Sequence, residues 1–257
     1  MLRPFLAAWL VVAFGCASAA ADDPAQAPIS TDRPAVTDSS VVVPSGSLQG
    51  ENGWAQSVSH GQGTFDGPET LLRFGVLSKT EVRFMVPDYF GPVKAGSGTT
   101  SGLGDLAVGV KQQLGPKSGF DVSLILSLSL PTGARSISSH GYDPSAQMPW
   151  SRALGPNWTA AGMLSVYWPT QPGGRNVTGE TTFLMDRQVT KRWDAFVEYA
   201  GDFPERGGPR HLVHFGTAWR PTPHQQFDLH VGLGLSSAAA DHFIGIGYSF
   251  RFQAIHL

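Results

Sequence analysis

The side chains able to do chemistry share a spacing. Arg73, Glu81, Arg83, Asp105, Lys111, Asp121, Glu180, Asp186, Asp194, Glu198, His214, Arg220, Asp228, His230 and Arg251 fall on alternate positions of stretches whose other positions are mainly apolar. A period of two belongs to β-strands, so these groups leave their strands on one face and the oily residues on the other. Unpaired buried charge is costly, and this face must pair across strands or meet water. One reading is a lumen lining that selects solutes by size and charge. The plainer one is a filled interior whose ladders only hold the wall together, since small barrels are filled by side chains.

Other chemistries fit less well. His214, Asp228 and His230 share a face, but His211 and His214 are three apart and a strand points them in opposite directions, so no metal and no cofactor are expected. No Gly-x-Ser-x-Gly elbow is present, and Gly232, Gly234, Gly245 and Gly247 lie inside strands without a following helix. They read as bare interior positions or barrel corners. A lipid-modifying enzyme would need a Ser/His pair at a lipid-facing rim. His140 beside Ser136 to Ser139 falls in a loop that reads as solvated, and no enzyme is expected.

The elements that must carry the polar face follow from the same alternation. Phe120 to Leu130 has Phe120, Val122, Leu124, Leu126, Leu128 and Leu130 on one side, opposite Asp121, Ser123, Ile125, Ser127 and Ser129. His242 to Phe252 puts Ile244, Ile246, Tyr248, Phe250 and Phe252 opposite Gly245, Gly247, Ser249 and Arg251. An oily face ending in aromatics suits lipid and its interface. Tyr248, Phe250 and Phe252 are the expected aromatic signal for the barrel-assembly machinery, with Gln253 to Leu257 beyond them. Trp158 and Trp168 bracket another such face. Twelve segments emerge: 48–59, 70–77, 80–87, 103–114, 120–130, 147–154, 158–168, 176–186, 193–202, 210–220, 226–235 and 242–252. Tight turns alternate with longer loops, as in a transmembrane barrel with an even strand number. Residues 48–59, 147–154 (broken by Pro149) and 176–186 are weak, which leaves ten strands as the alternative.

Composition agrees with an all-β antiparallel transmembrane β-barrel. Charged residues are 15% of the chain and glycines 31 of 257, where soluble domains average about 25% charged and about 7% Gly. The net charge of −2 gives no reason to expect nucleic acid. Residues 1–21 read as a cleaved export signal, with an apolar run from Phe5 to Phe14 too short to span a membrane. Cys16, the single cysteine, is a poor lipidation site because bulky Phe14 precedes it where a small residue is expected. The expected organisation is a signal (1–21), an extended N-terminal segment (22–46), a barrel (47–252) and a C-terminal extension (253–257). In the N-terminal segment, Asp32, Arg33 and Asp38 fit either a periplasmic tail or a plug whose charges pair inside the barrel. The expected location is the outer membrane of a Gram-negative bacterium, with membrane lipids and a small-molecule solute as partners. Nothing in the pattern assigns an oligomeric state.

Several stretches, in order, carry a resemblance. Thr31-Asp32-Arg33-Pro34, Gly102-Leu103-Gly104-Asp105-Leu106, Leu130-Pro131-Thr132-Gly133 and Phe196-Val197-Glu198-Tyr199 are four of them. Asp228-x-x-Val231-Gly232-x-Gly234-Leu235 and Gly245-x-Gly247-Tyr248-Ser249-x-Arg251-Phe252 complete the set. Together they resemble the bacterial outer-membrane transporter family labelled "putative MetA-pathway of phenol degradation", over roughly residues 30 to 252. The resemblance implies a barrel that passes small, aromatic or hydrophobic compounds, and it supplies no catalytic residues. A chain ending beyond Phe252 departs from the usual terminal aromatic.

Overall fold

The computed structural model describes residues 27–93 and 100–255. The export signal, Cys16, the first residues of the N-terminal segment and the last two of the extension lie outside these. Twelve long strands form the wall: β1 (Ser47–Ser59), β2 (Leu71–Leu77), β3 (Thr80–Met85), β4 (Leu106–Gln113), β5 (Asp121–Leu130), β6 (Asp143–Ala153), β7 (Trp158–Tyr167), β8 (Thr178–Thr190), β9 (Trp193–Pro204), β10 (Arg210–Thr222), β11 (Gln225–Gly234) and β12 (His242–Gln253). Each pairs antiparallel with the next, and β1 pairs with β12 without a break from Ser47↔Gln253 to Val58↔His242. The sheet therefore closes and leaves no edge along the seam.

Alternation decides which side is which. Leu126, Leu164 and Ile246 are more than half exposed, at 55%, 53% and 54%, while their neighbours Ile125 and Met163 are 0% and 1%. The oily positions face out and the polar positions in, the reverse of a soluble domain. The first strand, weak by its oily face, has a long, unbroken backbone register along the seam.

The structure changes several expected boundaries. Beyond β2, β3 and β4 the wall continues in short strands, Gln62–Gly67, Tyr89–Pro92 and Gly102–Leu103, which pair among themselves and with β1. Part of the expected loop 88–102 is thus strand. All three strands break at one level, where Pro68 and Pro87 have no N–H to give to a ladder. β6 runs through Pro149, whose missing donor coincides with a gap in the β5–β6 register between Val122↔Trp150 and Ile125↔Gln147. β8 extends to Thr190, leaving Lys191-Arg192 as the turn, and Gln253 belongs to β12. Trp168, expected on the oily face, lies past β7 beside an interior cavity. The ends with short connections are called here the turn end, and the others the loop end.

Residues 27–46 run through the interior, bonded to inward-facing groups of the wall. The chain leaves the interior at Gly46, which has φ +74° and carries the Ile255 carbonyl oxygen 2.1 Å from where a Cβ would stand. A glycine is required there by conformation and by space. The backbone N–H groups of Ala254 and Ile255 both donate to the Gly46 carbonyl, so the residues after Phe252 clasp this corner.

Candidate functional site: the filled interior

The first cluster lies against β1 to β4. Arg73 donates to Glu81 at 2.8 and 3.0 Å and to Glu51 at 2.9 Å, and stands 3.2 Å from Asp32. It also holds the Ser30 and Val41 carbonyls. Arg83 reaches Asp32 at 2.6 Å, and Lys111 reaches it at 3.1 Å. Glu81 accepts the Val43 N–H, and Glu51 accepts those of Asp32 and Arg33. Arg73, Lys111, Glu51 and Glu81 are wholly buried. Three carboxylates (Asp32, Glu51, Glu81) thus face three cations (Arg73, Arg83, Lys111), and the set is neutral, which buried charge requires. Burial alone would raise the Asp32 carboxyl, but the three cations hold it far below the carboxylate range. Asp38 is the odd acid. It meets Arg83 at 3.4 Å, and burial together with the nearby Asp32 charge pushes it up to about 6.

The second cluster lies on β9 to β12. Glu198 accepts the N–H groups of Val36 (2.8 Å) and Thr37 (2.7 Å) and the Thr37 hydroxyl (2.6 Å). His214 Nδ1 is 2.8 Å from Glu198, His214 Nε2 is 3.0 Å from His230 Nδ1, and His230 Nε2 is 3.4 Å from Arg33. A chain of hydrogen bonds thus joins two points of the N-terminal segment through the wall. Arg33 also contacts Glu69 and, at 3.4 Å, Asp228. Its guanidinium lies against Gly53 and Gly247, where an added Cβ would come within 2.1 Å of Arg33 Cζ and 2.5 Å of Arg33 Nε. The glycines expected to be bare are occupied. Gly245 has His230 against it, Gly232 the Phe243 ring, and Gly234 the Ala240 carbonyl.

The remaining marked residues are spread along the interior. Asp186 lines a cavity of about 300 Å³ at the turn end with Asp194 and Arg220, which pair with each other. Asp121 sits at the start of β5, opposite Ser151. Glu180 accepts the hydroxyls of Ser165 (3.0 Å) and Tyr167 (3.1 Å) near the loop end. Asp105 lies just before β4 rather than within it. Its carboxylate accepts the N–H groups of Gly133 and Ser139 and the Ser138 hydroxyl, which lower its pKa despite some burial and pin the following loop. Arg251 donates to the Ala27 carbonyl at 2.5 Å and stands opposite Gln49, while Glu51 stands opposite Ser249. Tyr248, Phe250 and Phe252 line the outer face, with Phe250 and Phe252 stacked. A second cavity, about 350 Å³, opens at the loop end between Met85, Ala107, Ser127, Ser129, Ser145 and Tyr167. Among the described residues no group of three His, Cys, Asp or Glu side chains is arranged to hold a metal ion.

Sequence reasoning from charge missed several participants. Gln49 is fully buried and shares a face of β1 with Glu51 and Gly53; Glu51, expected as a partner for Arg251 across the seam, pairs instead with Arg73. Their alternation against Leu48 and Trp54 was the available signal. Thr37, whose hydroxyl also meets that of Thr182, and Gln147 and Tyr167 are neutral and gave none.

A closed antiparallel barrel with an oily exterior and a polar, occupied interior is the architecture of outer-membrane β-barrels. Residues 31–252 match the model of the family described as "Putative MetA-pathway of phenol degradation", and the chain belongs to that family. Among solved structures, it resembles the COG4313 outer membrane channel from Pseudomonas putida F1, with a TM-score of 0.69 and 13% identity over 85% of this chain and 100% of that one. The NanC porin has a TM-score of 0.56 at 10% identity, covering 80% of this chain and 100% of that one. For the KdgM porin the TM-score is 0.53 at 10% identity, with coverages of 80% and 99%. No curated protein matches the chain in sequence.

Proposed function

We propose that the protein is a passive outer-membrane channel for small solutes, aromatic or hydrophobic ones among them, with residues 27–46 as its plug. The observation that carries this reading is the interior itself. Its polar face is continuous around the wall, yet the N-terminal segment leaves cavities of about 300 and 350 Å³ at opposite ends. A barrel built only to be shut has no use for chambers at both mouths. The family's description and the channel neighbours support the same class, and none of them supplies a catalytic group to this chain. Residues 1–21 direct export, the turn end faces the periplasm and the loop end the exterior. The dense ionic cluster around Arg73 favours one other reading, a structural barrel with a closed lumen.

Conductance decides between them. The purified protein is reconstituted in planar bilayers beside a variant lacking residues 27–44, both checked for a folded barrel by heat-modifiable gel mobility. A channel with a plug gives small openings in the intact protein and much larger ones in the variant. Silence from both folded proteins would leave the structural reading standing. Equal openings from both would remove the plug from the account.

A further inference from the structure

The N-terminal segment does not fill the lumen evenly. On the side of β1 to β4 it is held by charge-assisted bonds, among them Arg83 to Asp32 at 2.6 Å and Glu81 to the Val43 N–H at 2.7 Å. Toward β9 it is held by Glu198 at 2.6 to 2.8 Å. Between these, facing β6 and β7, no ion pair holds it to the wall, and Ser40 meets the Ser151 hydroxyl of β6 at 2.7 Å near the turn end. Asp38 lines the turn-end cavity and Tyr167 the loop-end one. The Gln147 side-chain nitrogen lies 3.4 Å from an oxygen of each, and 3.6 Å from the Met163 sulfur. Contacts of 3.4 Å are at the outer limit of an N–H···O bond and weak beside those of 2.6 to 2.8 Å. Gln147 thus stands between a residue of each chamber, held by one amide with three poor partners, beside the fully buried Ile125, Pro149 and Met163.

Resting on the channel reading above, we infer that solute passes with the plug in place, along its β6–β7 side, and that Gln147 and Tyr167 form the gate. The chemistry of this gate also defines the cargo. An amide, a phenol and a thioether present hydrogen-bonding and apolar groups without a cation, while Asp38, Asp88, Asp105 and Asp143 border the path or the chamber above it. Small uncharged solutes bearing hydroxyl or amide groups can exchange bonds with Gln147 and Tyr167 as they pass. Anions meet the carboxylates of Asp88 and Asp105 in the loop-end chamber, whereas Asp38 and Asp143 are each paired with an arginine and Arg33 and Arg220 line the turn-end chamber. Swinging the Gln147 side chain aside breaks only weak contacts, whereas withdrawing the segment breaks both anchored clusters.

Liposome swelling with the full-length protein tests this, using arabinose as the uncharged probe and gluconate as the anion. Gln147→Ala is expected to raise arabinose flux severalfold and leave gluconate slow. Gln147→Trp is expected to abolish arabinose flux with the barrel still heat-modifiable, and Gln147→Ser serves if the alanine variant does not fold. Gln147→Cys should lose flux after treatment with a bulky thiol reagent. If deletion of residues 27–44 opens the barrel but the Gln147 variants all match the parent, the side route is wrong while the channel reading survives. If even the deletion variant passes nothing, both fall. Equal acceleration of arabinose and gluconate by Gln147→Ala would overturn the assignment of uncharged cargo.

Discussion

The two sides of the plugged lumen are built from opposite materials. Around Arg73 every hydrogen-bonding group is ionic or bonded to an ion, with distances mostly between 2.6 and 3.2 Å. The Gln147 amide meets neutral or singly acidic groups only at 3.4 Å or more, and its neighbour Tyr167 is held by Glu180 at 3.1 Å. Breaking one partner of a buried ion leaves the other uncompensated, so the first side resists movement. Neutral groups that border chambers can trade partners with what enters them. The difference separates holding from passing within one cross-section.

The sharpest way to break this contrast is at its hub. Arg73→Met removes the partner of Asp32, Glu51 and Glu81 together, and loss of one side of a buried ion cluster costs about 3–5 kcal/mol. Urea unfolding in detergent, followed by tryptophan fluorescence, should show a loss of that size. A change below about 1 kcal/mol, the scale of an exposed pair, would mean the cluster does not anchor the segment. Glu198→Gln is expected to cost less, about 2 kcal/mol, since an amide turns one donor toward the N–H groups of Val36 and Thr37. It should also expose the N-terminal segment to added protease.

The smallest effect sharpens the comparison through pH. Asp32 is depressed, so its contribution is present above the unfolded carboxylate pKa and fades as pH falls below it. Asp38 is raised from 3.8 to about 6, so the folded state binds its proton more tightly than the unfolded chain. Its contribution is fullest below pH 3.8 and is lost as pH rises to about 6. Asp38→Asn should flatten stability between those two pH values. An unchanged slope would show that Asp38 is not the odd acid of the cluster.

Alternation made the wall legible because each strand records, two residues at a time, which neighbours meet lipid and which do not. The weak segments formed as well, β1 by backbone pairing along the seam and β6 despite Pro149. What alternation could not carry was pairing without a period. The kinks at Pro68 and Pro87 depend on three strands breaking at one level, and no local window spans them. Asp32 and Arg33 stood out as charges in a proline-rich stretch, but Glu69 did not, and Glu51 was matched to Arg251 rather than to Arg73 and the Asp32 and Arg33 N–H groups. Gln147 and Tyr167 were invisible to a search for charge, because their importance comes from standing between two empty spaces.

Gly53 and Gly247 are direct register partners across the seam, and the Arg33 guanidinium lies against both. A single guanidinium therefore spans the seam, and a slip of register between the first and last strands would part the two glycines it rests on.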